Sequence, residues 1–230
     1  PMGEALGWSL TQLVGALTAQ GIAVLVTAPV IGYLLDKLGA RWVMLAGAVI
    51  TGVGLVFIMG VRETWQFWGL YALVGGIGMS AMSRLSGPVV ISKWFIRRRG
   101  RAMAVATSSQ MIGGMVMAPI VALMITSQGW RNAWLMLGIA TLVIMIPTLF
   151  LFMRRQPEDM RLAPDGVEFS TGSDVTNLPD GELEASWPLR EALRTRTIWI
   201  LVIAMNLAGF MVWAINYHQV PYFTSQGMST

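Results

Sequence analysis

The chain has 230 residues, 55% of them hydrophobic and only 12% charged, with a net charge of +4 and no cysteine. A soluble domain carries roughly 25% charged residues, so the deficit points to lipid as solvent; the missing cysteine excludes a disulfide framework and thiolate-metal chemistry. The basic residues stand in short clusters between long apolar runs, the pattern of a membrane protein's inner face rather than of a nucleic-acid surface.

A spanning helix needs about 20 predominantly apolar residues, and residues 5–35, 42–61, 64–83, 102–130, 132–153 and 197–230 contain no Asp, Glu, Lys or Arg. Six spans are predicted, at about 11–35, 42–60, 66–91, 102–125, 133–152 and 197–218, giving an all-α polytopic membrane helix bundle. The third contains Arg84, the only Lys or Arg placed inside a span. The chain opens on Pro1 without a signal-peptide pattern, which predicts a fragment with a segment upstream.

Alternate connections hold thirteen and two Lys or Arg residues, the thirteen running from Lys37 and Arg41 through Lys93–Arg101 to Arg196, and the two being Arg62 and Arg131. The basic set is therefore expected in the cytoplasm, with loops 36–41, 93–101 and 153–196 on that side. The turns Val61–Trp65 and Ser127–Asn132 are tight enough to make antiparallel neighbours. A polar stretch with Pro157, Pro164, Gly166, Pro179, Gly181 and Pro188 reads as a linker. The domains expected are a transmembrane bundle over 5–152, a central linker over 153–195 carrying a surface helix near Ser186–Arg194, and the first helix of a second bundle over 196–230. Glycines 47, 52, 54, 75, 76, 78, 113 and 114 are expected to let helix backbones approach. Trp65, Trp68, Trp94, Trp130, Trp134 and Tyr222 suit interfacial belts. No internal sequence repeat is apparent by inspection.

The most specific stretch is Gly32-Tyr33-Leu34-Leu35-Asp36-Lys37-Leu38-Gly39-Ala40-Arg41. Asp36 falls at a helix C-terminus, where the macrodipole disfavours an acid and calls for a cationic partner. Glycine, four residues to aspartate, a basic residue, then glycine and a further basic residue resembles the loop signature of the major facilitator superfamily. The resemblance implies that Asp36 helps latch the cytoplasmic ends of two helical bundles, with Gly32, Lys37, Gly39 and Arg41 in support and Arg97 and Arg98 as further switch residues. Ala40 departs from the pattern, where a basic residue is common. Gly7-Trp8-Ser9, the run Trp94 to Ala102, and Gly129-Trp130-Arg131 are similar in order and spacing to the branch holding monocarboxylate porters and oxalate-formate antiporters. By that resemblance the visible spans are helices two to seven of twelve, and the fold is an incomplete bundle of major facilitator type. Helix four of the twelve, at Tyr71–Gly76, lacks the arginine of many proton-coupled drug exporters. Gly114–Pro119 only partly resembles an exchanger motif.

An ionisable group at membrane depth costs about 2.5–3.5 kcal/mol on insertion scales and marks a functional candidate. Arg84 is that group, nine residues before Lys93 and so roughly 13 Å from it along a helix. Its guanidinium can hold a carboxylate bidentately; Ser80, a further candidate substrate ligand, and Gly87 are predicted on the same helical face, with Ser83 nearby, as a polar stripe. Asn206 and Tyr217 are candidate polar ligands on the seventh helix. His218, the only histidine, is the candidate for proton coupling. Ser108, Ser109 and Gln110 are expected to serve interhelical hydrogen bonding.

These residues predict a secondary transporter that moves a small organic anion across a plasma or bacterial inner membrane by alternating access, coupled to protons or to a counter-anion. Its expected partners are that anion and the bilayer, with no nucleic acid, no cofactor and no metal. A facilitator for a sugar or drug, or a sensor on the same scaffold, are the alternatives. An enzyme is not expected, because no HExxH, nucleophile elbow or intramembrane carboxylate pair occurs.

Overall fold

The computed structural model describes residues 2–153, Glu191 and 194–225, with side chains of the last helix as far as Met211. It is helical between short turns. The order is α1 (Met2–Leu6), α2 (Leu10–Leu38), α3 (Ala40–Ile58), α4 (Thr64–Tyr71), two π-helical stretches (Ala72–Gly78 and Ser80–Arg84), α5 (Ser86–Trp94), α6 (Arg99–Phe152) and α7 (Arg196–Ser225). The chain divides into two compact units, Pro1–Thr171 and Gly172–Thr230. Of the expected linker only Met153, Glu191, Arg194 and Thr195 lie within the described residues.

Each helix starts and stops for a local reason. Gly7 turns the chain with φ 65°, and Ser9 then caps α2 in a capping box with Gln12, satisfying amides that a helix start leaves open. Glu63 and Gln66 form the same arrangement before α4. Gly39 ends α2 and begins α3 by itself, at φ 79° and ψ 159°. Gly129 interrupts α6 at φ 81° and ψ 161°, so the 54-residue element is two helices, 99–128 and 130–152. Both conformations are left-handed in φ and suit only glycine without cost.

Leu10–Leu38, Ala40–Ile58 and Arg99–Phe152 are each long and apolar enough to cross a membrane. With α6 divided at Gly129, with 64–94 following one helical path and with α7 at thirty residues, the helical segments fall where charge spacing predicted the six spans. Two differences stand out. The turns at Gly39 and Gly129 are single residues, shorter than expected. The third span is not uniformly α-helical, because its middle is wound as π-helix.

Backbones come together at a waist of small residues. A Cβ on Gly47 would lie 2.8 Å from the Gly78 carbonyl oxygen, and one on Gly76 would collide with Ala23 Cβ. Gly52 and Gly138 face each other: a Cβ on Gly138 would stand 2.7 Å from the Gly52 carbonyl oxygen. Gly113 and Gly114 have no neighbour within 4 Å of an added Cβ, so among the described residues they do not share this role. Large residues fill the two ends of the bundle. One cluster joins Ala16, Ile58, Val61, Phe67 and Val74, with Trp8 and Trp134 packed against it. The other joins Ile31, Leu35, Ala40, Val43 and Ala81, with Leu85, Val89 and Val90 alongside.

The turns disclose an internal repeat that inspection of the sequence missed. Gln20 and Gln110, Ala28-Pro29 and Ala118-Pro119, Gly39 and Gly129, and Arg41 and Arg131 all stand ninety residues apart. Pro29 and Pro119 both lie inside helices, ten residues before their glycine turn. The two copies run in opposite senses. Arg41, at the start of α3, donates from Nη2 to the Phe150 carbonyl at 2.7 Å near the end of α6. Arg131, at the start of 130–152, donates from Nη1 to the Met59 carbonyl at 2.7 Å, just past the end of α3. The α3 helix and residues 130–152 are thus antiparallel, clasped at both ends and in close backbone contact midway at Gly52 and Gly138. Repeats of inverted topology are a recurring plan among membrane transporters.

Overpacking a tight contact costs about 1–3 kcal/mol. Gly52→Ala and Gly138→Ala are therefore expected to lower the thermal unfolding midpoint in detergent, while Gly69→Ala, with nothing within 4 Å, leaves it unchanged. Equal midpoints for all three variants would contradict the crossing.

Candidate functional site

The predicted site residues fall into two groups, one at the Gly39 turn and one along residues 80–87. Asp36 and Lys37 are exposed on the last turn of α2. The Lys37 ammonium lies 5.8 Å from the centroid of the Tyr33 ring, one turn back along the helix, a cation-π contact that leaves its head group accessible. Gly39 supplies the left-handed residue that lets α3 begin at once. Gly32 has nothing within 4 Å of an added Cβ, so no described neighbour requires a glycine there.

Arg41 behaves differently from the rest of the motif. Its guanidinium donates to the Phe150 carbonyl and lies 4.8 Å from the Phe150 ring centroid and 5.8 Å from that of Trp42. It is a tie between two helices, built from a charge-assisted hydrogen bond and aromatic stacking. Arg131 makes the matching tie at the other end, 4.5 Å from the Trp130 ring. Arg97 and Arg98 are exposed just ahead of α6, and with Arg99 they are engaged in contacts rather than free.

Arg84 ends the second π-helical stretch and is exposed, whereas Ser80 in the same stretch is fully buried. The two do not share one environment. Ser80 Oγ is buried without a hydrogen-bond partner, as is Thr51 Oγ1 on α3. Gly87 has open space around it. Sequence reasoning passed over Thr51, whose only sequence signal is a hydroxyl one residue before Gly52.

On α7, Asn206 donates from Nδ2 to the Val202 carbonyl at 2.8 Å, so its amide is turned back onto its own helix. Tyr217 and His218 lie on the α7 backbone, with side chains outside the described residues. Ser109 donates to the Ala106 carbonyl at 2.8 Å, bonding within its helix rather than across to another. An open groove of about 400 Å³ runs along α2 beside Trp68, past Thr11, Gly15, Thr18 and Ile22. Trp68 forms its wall by donating from Nε1 to the Gln12 carbonyl at 2.7 Å. Among the described residues, none of the predicted site residues lines it.

If Arg41 is a tie, its charge alone does not suffice, because lysine offers no planar fork to span carbonyl and ring. Arg41→Lys is expected to lower the thermal midpoint nearly as much as Arg41→Gln, and Lys37→Gln to leave it unchanged. Full retention of stability by Arg41→Lys would count against the tie.

Comparison with known proteins follows the same lines. The model of the Major Facilitator Superfamily matches residues 1–230. The chain is 27% identical over 217 residues to the "Probable L-galactonate transporter" of Escherichia coli (strain K12), covering 91% of this chain and 45% of that protein. It is 24% identical over 232 residues to the "Oxalate:formate antiporter" of Oxalobacter formigenes, covering 100% of this chain and 50% of the relative. It is 32% identical over 117 residues to "Monocarboxylate transporter 11" of Mus musculus, covering 50% of this chain and 26% of the relative. The chain therefore spans half or less of the length of these relatives, and all three carry the names of transporters rather than enzymes. A match along its whole length, joined to a helical bundle with an inverted repeat, places this chain in the Major Facilitator Superfamily.

Proposed function

We propose that the protein is a secondary transporter that carries a small organic anion across the membrane by alternating access, driven by protons or by exchange. The single observation behind the anion is Arg84, an exposed guanidinium on a helix that otherwise packs into the bundle through glycines and aliphatic residues. A cation at such depth is costly unless an anion or water meets it. The names of the relatives agree with that chemistry, since L-galactonate, oxalate, formate and monocarboxylates all present a carboxylate.

On this reading the Gly39 end of the bundle faces the cytoplasm, as do 93–101 and the segment 153–196, following the excess of Lys and Arg there. Residues 5–152 serve as most of the first bundle, 153–195 as the central linker, and 196–230 as the opening helix of the second bundle. Asp36 and Lys37, exposed on the last turn of α2, are the switch pair, with Arg97 and Arg98 on the same face. Gly32 and Gly39 shape their helix end. Ser80 supports the binding helix from inside, Asn206 and Tyr217 are second-bundle ligands, and His218 is the group assigned to proton coupling.

The test is uptake of labelled oxalate, formate, lactate and galactonate into proteoliposomes holding the full-length protein. An imposed pH gradient and internal counter-substrate are compared in parallel. Saturable uptake of one anion is expected. A hydrogen-bonded charge contributes about 1.5–3 kcal/mol, and each 1.4 kcal/mol is tenfold in affinity. Arg84→Gln should therefore raise the apparent KM roughly tenfold or more, with Arg84→Lys between it and the native protein. Unchanged kinetics in folded Arg84→Gln would remove Arg84 from the site. Absence of flux with every anion would redirect the search to neutral solutes or sensing.

A further inference from the structure

Among the described residues only 72–84 depart from α-helical winding over more than a single residue within a long helix. Bonds there run from residue i to i+5. The Met79 amide donates to the Val74 carbonyl, and the Leu85 amide donates to the Ser80 carbonyl at 3.0 Å. A π turn holds one more residue than an α turn, occurs mostly singly, and is frequent at functional sites. Here two follow one another in the span that carries Arg84.

The packing along these turns is unlike. The first stretch is itself seated through glycines, with Gly75 and Gly76 against Gln20 and Ala23 of α2, Gly78 against Thr51 of α3, and Gly47 of α3 against the main chain as far as Met82. Such contacts fix one register, because each leaves room for a particular backbone position and no other. Downstream, Leu85, Val89 and Val90 meet Ile31, Leu35, Ala40 and Val43, an aliphatic surface that has no directional partner to lose. Between the two lie Ser80 Oγ and Thr51 Oγ1, both buried and unpartnered, while Ser86 donates back to the Ala81 carbonyl. Burying a hydroxyl unpaired costs about 1–3 kcal/mol. In α-helical winding a serine reaches the carbonyl four residues back, so rewinding would give Ser80 the partner it lacks.

We propose that the second π turn, residues 80–84, is a register joint. It releases its extra residue, so that the helix beyond Arg84 turns and slides against α2 and α3 while the glycine-seated first stretch stays in place. One residue of register is about 100° of rotation and 1.5 Å of translation. That motion carries Arg84, at the end of the second wide turn, from one side of the helix toward another. The use assigned to it, presenting Arg84 alternately, rests on the transport reading; the joint itself does not.

The test uses spin-label pairs in the full-length protein in lipid nanodiscs; these 230 residues hold no cysteine, and any outside them is replaced by serine. Tyr33→Cys with Phe95→Cys reports across the joint. Phe57→Cys with Val143→Cys reports on the clasped pair of α3 and 130–152. All four positions are exposed. The first pair is expected to show two distance populations separated by roughly 5–8 Å, from one residue's rotation of a helix about 10–12 Å across, and the second pair one. Deleting Met82 should reduce the first pair to one population and leave the second unchanged. A single population in the undeleted protein overturns the joint, as do two populations that survive the deletion. Loss of the reference distance in the deletion also overturns it, since a helix with a spare residue tolerates losing one. Absence of transport would not bear on these distances, so the two readings fail separately.

Discussion

Helices in lipid gain little by covering their apolar side chains, because the surrounding tails are as apolar as the partner helix. What this bundle depends on instead is close approach of backbones, and α3 is where that approach is concentrated. Gly47 and Thr51 meet the π-helical segment, Gly54 meets Val74 of that segment, and Gly52 meets Gly138. One helix of nineteen residues thus seats two neighbours by presenting glycine, or a side chain no larger than threonine, where they pass. Large residues are kept for the two ends, where the helices diverge and space has to be filled. Small residues at the waist set distance and register, and the aromatic and aliphatic ends exclude lipid and water from the gaps that the waist creates.

The same constraint explains why an inverted repeat serves so well. Two helices that cross antiparallel at a glycine pair have their opposite ends brought together, so one device can tie both. Each copy opens its second helix with a glycine in left-handed φ and places an arginine two residues later. That arginine reaches the carbonyls that end the other copy's helix, groups that no intrahelical amide can satisfy. A cation near a helix C-terminus is also favoured by the macrodipole. The two arginines therefore meet needs that every helix end has, without a buried carboxylate that lipid would make expensive.

Much of this was legible in the sequence, and the part that was not has physical causes. Charge spacing located the spans because a charge is excluded from lipid wherever the helix lies. The segments 36–41 and 127–132, which hold Gly39 and Gly129, were read as turns because charged and polar residues there separate two apolar runs. The π winding was not readable, since a stretch such as Ala72-Leu73-Val74-Gly75-Gly76-Ile77-Gly78 gives no face whose period could separate one winding from another. Arg41 was read with its motif, but its partner Phe150 follows from the register of α3 on 130–152, which no local pattern contains. The expectation that Ser80 and Arg84 belong to one polar stripe rested on an ideal helix, and the burial of one beside the exposure of the other comes from what packs around them. Gly113 and Gly114 matched the glycines of the waist in composition and not in surroundings.

The repeat also separates what the crossing uses from what it does not. Both copies share a proline inside the helix, a glycine turn and an arginine tie, and the last two serve the antiparallel crossing at its two ends. Asp36 and Lys37 have no such counterpart, because Thr126 and Ser127 occupy the matching places. Those two bond back to their own helix, Thr126 to the Ala122 carbonyl at 3.1 Å and Ser127 to the Leu123 carbonyl at 2.7 Å. They do for the helix end what small hydroxyl residues commonly do. Asp36 makes the opposite choice, an acid where the dipole disfavours one, on the same backbone and ninety residues away from a neutral alternative. The turn therefore does not require the charge. The acid at position 36 thus belongs to one of two otherwise matched turns, and neither the shared turn geometry nor the local helix field accounts for it.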